Sequence, residues 1–333
     1  MPSRSDRAFA PAADPVGWRA SALHDPARDW PQTNCYVDLW IEALHARGFA
    51  PDAMLAFTTR LDFEGDQFTF FKPPLEDIEA LYGLATHELA LYDDMPEQFA
   101  QQCARGRMVM VETDAFFLPD TRGVSYEIEQ SKTTIGINRI DVAARRIDYF
   151  HNDGFFRAEG RDFDGLMAFG AESGRQKLPP YAEIVKPDFP ALEGRALKDA
   201  ARALLGHHLQ RRPKDNPVAA FAERMPALVE RLAAREPEFF HKFAFNTLRQ
   251  LGANFELMGA FLGWLGEPGE FARETERCKA ISEGAKALQF LLARAVVRRK
   301  TVGLDEPLVK LSETYDALFA QMSARQGAVR LAS

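Results

Sequence analysis

From Glu193 to its C-terminus the chain offers one periodicity only. Apolar residues recur three and four apart in Ala196–Arg211, Val218–Arg235, Glu238–Leu265, Glu270–Ala295 and Glu306–Gln326, and no segment there alternates with period two. Such segments bury their apolar faces against other helices, so this half can only be a helical assembly. Phe239–Leu265 is apolar on most sides, which predicts its central helix.

The first 190 residues carry both periods. Residues 1–30 are rich in Pro, Ala, Asp and Arg and read as irregular, with residues 1–14 a separate arm. A helix is expected from Asn34 to Arg47, with Val37, Trp40, Ile41 and Leu44 on one face and Gly48 beyond its end. Shorter helical pieces follow at Pro51–Arg60, Leu75–Tyr82 and Glu97–Ala104. Met108–Phe117 reads as a buried strand, Leu118–Ser131 as a loop, and Thr133–Ile140 with Arg146–His151 as a β-hairpin. A Pro-rich connection, Leu178 to Pro190, closes this part. The expected organisation is an arm (1–14), an α+β domain (15–190) and an all-helical domain (191–333).

Charge divides at the same place. Residues 1–190 hold 19 Lys/Arg against 31 Asp/Glu, a net of −12; residues 191–333 hold 22 against 17, a net of +5. The second half suits an acidic partner. It lacks the concentrated basic stripe that nucleic acid requires, so no nucleic-acid partner is expected. No apolar run approaches 18 residues and the N-terminus has no hydrophobic signal core, so neither membrane insertion nor secretion is expected. Three cysteines make no disulfide framework, which points to the cytoplasm. Cys103 and Cys278 lie in helical patterns and read as packing residues.

The candidate chemistry begins at Cys35. It follows Thr33 and Asn34, two good capping residues, and so stands on the first turn of a helix. The free N–H groups and the positive dipole end there lower a thiol's pKa and make it a better nucleophile. The same residue also suits a buried helix start as a small apolar side chain. His151 is the leading base: Ile147, Tyr149 and His151 share one strand face, and Asn152 or Asp153 could orient the ring from the following turn. It equally suits a structural bond to the loop Leu118–Ser131. Gln32, Asn34 and Gln67 are amides available to an oxyanion, beside the Cys35 N–H. Asp66, with Asp62 and Glu64, could hold a cation or an amine, or form a solvated loop. Glu112 and Asp114 share a strand face, and Lys132 or Lys72 could neutralise them. No metal-ligand spacing, glycine-rich dinucleotide motif or Walker motif occurs, so no metal or cofactor is expected.

Several runs together resemble an uncharacterised bacterial family, domain of unknown function 1839. They are Thr33–Trp40, Leu61–Gln67, Phe70–Pro74, Phe117–Asp120, Lys132–Ile135 and Tyr149–Asn152. A more distant likeness is to the papain-like N-terminal acyltransferase region of butirosin biosynthesis protein H. That likeness implies a papain-like, cysteine-protease-type α+β domain followed by the helical domain. It also implies acyl or aminoacyl transfer from a carrier-protein phosphopantetheine thioester, through a thioester on Cys35, to an amine or other small-molecule acceptor. In that setting Cys35 is the nucleophile, His151 the base and Asp153 or Asn152 its orienter. Gln32, Asn34, Gln67, Asp66, Lys72 and Thr133 surround the substrate. Such relatives open the strand after the loop with His, where this chain has Lys132-Thr133-Thr134. The alternatives are an amide or thioester hydrolase on the same residues, or a non-catalytic adaptor that binds a carrier protein.

Overall fold

The structure, a computed structural model, describes residues 8–170 and 178–332. The fold is mixed α+β. Among the described residues it has one antiparallel six-stranded sheet and eleven α-helices, with seven of the helices following Glu193. The chain forms two compact units. The first combines Met1–Asp25, Asn34–Pro51 and Pro74–Leu192; the second combines Pro26–Thr33, Asp52–Pro73 and Glu193–Ser333.

The first unit is built on the sheet. Its strands are β1 (Leu84–Glu88), β2 (Met108–Asp114), β3 (Lys132–Asp141), β4 (Arg146–His151), β5 (Gly154–Glu159) and β6 (Ala182–Pro187), in the order β1-β6-β2-β3-β4-β5. The expected β3–β4 hairpin is present, with Gly136 opposite Phe150 and Ile140 opposite Ile147. One face carries Val109, Val111, Ile135, Ile137, Ile147 and Tyr149. Against it pack α3 (Met95–Cys103), through Phe99 and Cys103, and α4 (Arg161–Met167), through Phe163 and Leu166. The opposite face carries Met108, Gly136 and Phe150 and receives α1 (Cys35–Ala46).

Helix α1 starts where expected. The Asn34 side chain caps it by accepting from the Val37 N–H at 3.1 Å. Val37, Leu39, Trp40, Ile41 and Leu44 are fully buried, so a second layer covers the flank opposite the predicted stripe. Gly136 permits this approach: a Cβ there would stand 2.9 Å from the Met108 sulfur and 3.3 Å from Leu39. Trp18 stacks edge-on with Phe150 and Phe155 and donates its indole N–H to Glu42 of α1 at 2.8 Å. Residues 8–13 are irregular, as the arm is expected to be, yet they are fastened down. Asn138 accepts the Ala10 N–H at 2.8 Å and donates back to the Ala10 carbonyl at 3.2 Å. Residues 1–7 of the expected arm lie outside the described residues. The remaining helix of this unit is α2 (Leu75–Tyr82), which stops at Gly83 as its sequence requires.

The second unit contains α5 (Gly194–Leu209), α6 (Pro217–Glu223), α7 (Met225–Ala233), α8 (Glu238–Asn246), α9 (Leu248–Leu265), α10 (Ala272–Arg298) and α11 (Asp305–Ala332). The central helix expected over Phe239–Leu265 is two helices. The break falls at Thr247, whose hydroxyl bonds the Phe243 carbonyl at 2.7 Å instead of supporting a straight ladder. The segment Val218–Arg235 also divides, at Met225-Pro226, because a proline suits the first turn of a new helix better than the interior of an old one.

Candidate functional site

Strand alternation puts Ile147, Tyr149 and His151 of β4 on the face that carries α3 and α4, and Phe150 on the face that carries α1. At the end of β4 the His151 ring is buried between two partners. Its Nε2 lies 2.8 Å from the Thr133 hydroxyl of β3, and its Nδ1 lies 2.6 Å from Asp120 Oδ2. Asp120 stands on a short 3-10 turn, Pro119–Thr121, fixed from below by the Thr121 hydroxyl, which reaches the carbonyls of Ala115 and Leu118. The other Asp120 oxygen accepts the Tyr149 hydroxyl at 2.5 Å. The Asp120 and His151 side chains are only 3% and 2% exposed, so solvent screens this pair very little.

The partners fix the tautomer. A carboxylate accepts only, so Nδ1 carries the proton and donates it to Asp120. In the neutral ring Nε2 is then a bare lone pair, and the Thr133 hydroxyl donates to it. Burial and the nearby Asp120 charge push the Tyr149 phenol well above its ordinary range, so it stays protonated and donates. The result is a line of carboxylate, imidazole and hydroxyl in the order that general-base activation of a hydroxyl needs.

A cavity of about 640 Å³ lies at the same end of β2 and β3, although Thr133, His151 and Asp120 are not among its lining residues. Its lining includes Thr113, the direct register partner of Thr133, together with Phe117, Ser131, Lys132 and Gly165. The Lys132 ammonium meets Glu112 at 2.6 Å, which is the ion pair expected for that strand.

Cys35 is the first residue of α1, half-buried, and its thiol is free. Its helix lies on the opposite side of the sheet from the His151 ring. The structure therefore brings His151 together with Thr133 and Asp120, and Cys35 is not among the ring's partners. Asn152 and Asp153 form the tight turn into β5, where Asn152 adopts φ +46°, and both ring nitrogens are engaged elsewhere. The Asn34 side chain is occupied in capping α1.

The other expected residues belong to the second unit. The Gln32 carbonyl accepts from Arg249 at 2.8 Å. Asp66 and Gln67 sit at the exposed tip of a tight turn that the Phe63–Phe68 bridge closes, and the Gln67 carbonyl accepts the Glu64 N–H at 2.9 Å. The Lys72 ammonium lies 5.8 Å from the centre of the Phe70 ring.

Asp120 and Tyr149 carry no role in the sequence reading. The signal was nonetheless present. Asp120 ends the run Phe117–Asp120 and Tyr149 opens the run Tyr149–Asn152, both of which carry the family likeness. Cys103 and Cys278 are packing residues, as expected: both are buried, and burial pushes the Cys103 thiol up to about 12 and that of Cys278 higher still. No helix among the described residues is long and apolar enough to cross a membrane.

Comparison with known proteins adds the family. The DUF1839 N-terminal domain matches residues 19–187, and the DUF1839 C-terminal domain matches residues 194–324. No curated protein matches the chain. The chain belongs to the DUF1839 family.

Proposed function

We propose that this protein transfers acyl groups, with Thr133 as the hydroxyl nucleophile, His151 as its general base and Asp120 as the orienter of the ring. One observation carries the reading: the unbroken line from Asp120 Oδ2 to His151 Nδ1 at 2.6 Å and from His151 Nε2 to Thr133 Oγ1 at 2.8 Å. In the first step Thr133 Oγ attacks the acyl carbonyl of a thioester donor as its proton passes to His151 Nε2. The thiolate leaves, takes that proton, and an ester remains on Thr133. In the second step an amine attacks the ester, His151 accepts the amine's proton and returns it to Thr133 Oγ, and the amide departs. Water in place of the amine gives hydrolysis. A phosphopantetheine thioester on a carrier protein is the donor that the papain-like likeness suggests, and the net charge of +5 over residues 191–333 suits such an acidic partner.

A second reading keeps Cys35 as the nucleophile. It is favoured by a half-buried free thiol heading a capped helix that lies on an antiparallel sheet, an arrangement that also supports a papain-like shell. In that reading the base is a group other than His151. A third is a non-catalytic carrier-protein adaptor. Free thiols suit a cytoplasmic site of action in each case.

Thiol release from an S-acyl phosphopantetheine carrier protein separates the readings. Thr133→Val is expected to lower the rate by about a hundredfold or more, with Cys35→Ala close to wild type. The reverse pattern supports the thiol. Binding of the carrier without any thiol release, unchanged in both variants, supports the adaptor.

A further inference from the structure

Asp120 has two oxygens and each has its own donor. Oδ2 faces the His151 ring, and Oδ1 takes the Tyr149 hydroxyl at 2.5 Å. Tyr149 precedes His151 by two residues on the same strand face, so the backbone itself holds both donors against one carboxylate. Tyr149 is fully buried and does not bond the His151 ring. We propose that Tyr149 is a positioning residue that sets the proton affinity of His151 through Asp120. The inference rests on the acyl-transfer reading for its catalytic consequence, although the titration that tests it needs no activity.

The physical argument has two parts. The phenol holds the carboxylate plane so that Oδ2 stays aimed at Nδ1, which keeps the lone pair of Nε2 turned to Thr133. It also shares the carboxylate's negative charge. An imidazolium beside Asp120 is stabilised by that charge, so each donor that takes part of it makes the ring less basic. The surrounding groups are few. Asp120 faces the ring from the 3-10 turn, Thr133 from β3 and Tyr149 from β4 itself. Beyond Tyr149 lies Asp162 of α4, which accepts the Tyr126 hydroxyl at 3.1 Å and sits close to Arg161, Arg122 and Glu127. Nothing in that outer group bonds the His151 ring.

The experiment is an NMR titration of the histidine ring nitrogens in the full chain, with the His151 signals assigned by their loss in His151→Gln. In Tyr149→Phe the His151 midpoint is expected to rise by about one pH unit, a tenfold gain in proton affinity. In Asp120→Asn the midpoint should fall, and adding Tyr149→Phe to that variant should change it no further. An unchanged or lowered midpoint in Tyr149→Phe overturns the inference. So does a shift of equal size in the Asp120→Asn background, which would mean that the phenol acts by another route. Failure of the acyl-transfer reading shows separately, as a Thr133→Val variant with wild-type thiol release.

Discussion

Asp120, His151 and Thr133 show how residues far apart in sequence acquire one chemical purpose. Alternation along β4 identified the face of His151, and the family likeness drew attention to Lys132–Ile135. Neither names the residue that covers that face, although a bond from His151 to the loop Leu118–Ser131 is one of the two readings of that histidine. Asp120 stands 31 residues before His151, within that loop. Its place depends on the turn after β2 folding back over the sheet, which no local pattern reports. A second buried histidine supplies a test at the same scale. His24 lies 2.6 Å from Glu42 and 3.3 Å from Asp38, both on α1 and both buried. Burial alone would depress the imidazole, but hydrogen bonds and charge from Asp38 and Glu42 outweigh it and hold His24 at about 9, against an ordinary 6.5. Its folded pKa is therefore raised. The stabilisation it gives is complete below about pH 6.5 and is lost as pH rises through about 9. Urea midpoints between pH 6 and 10 should fall across that window in the wild type. The fall should be largely absent in His24→Gln, which should itself be destabilised by about 3 kcal/mol at neutral pH because two buried carboxylates lose their cation. A wild-type midpoint that is flat between pH 7 and 10 would contradict the assignment.

Among the elements, helices with a clean cap or a glycine stop were legible to within a residue or two, and so was the β3–β4 hairpin. Three strands were not. β1 is Leu-Ala-Thr-His-Glu at the edge of the sheet, half polar and short. β5 opens on a glycine that reads as turn. β6 lies within the Pro-rich connection, yet pairs on both sides, between the edge strand β1 and β2. In all three, pairing with distant strands decides the conformation over local preference. The close approach of α1 gives a prediction at this scale. Gly136→Ala should cost about 1–3 kcal/mol in urea unfolding, since its Cβ would crowd Met108 and Leu39. Asn34→Ala should cost about 1 kcal/mol through the lost cap. Equal stability of either variant and the wild type would mean that α1 sits further from the sheet than described, or is capped by another group.

The whole molecule is less sequential than its sequence suggests. The change of composition near residue 190 coincides with the junction of the two family domains, at residues 187–194. The compact units do not follow that order, because Pro26–Thr33 and Asp52–Pro73 belong with the helices. Within that unit Phe63 and Phe68 pack on Phe221 of α6, Asn254 of α9 donates to the Thr58 carbonyl at 2.8 Å, and Arg249 donates to the carbonyls of Gln32 and Thr33. A fragment of residues 191–333 alone lacks all of these partners. It should show helical circular dichroism without a cooperative thermal transition; a sharp transition would show that the helices need no such support. The central claim is chemical, and the location of a covalent adduct tests it most directly. After incubation with a fluorophosphonate, peptide mass spectrometry should place a single adduct on the peptide that holds Thr133, and His151→Gln should abolish it. An adduct on another hydroxyl, or none on the folded wild-type protein while Cys35 alone takes up an acyl group from a thioester donor, would contradict the account.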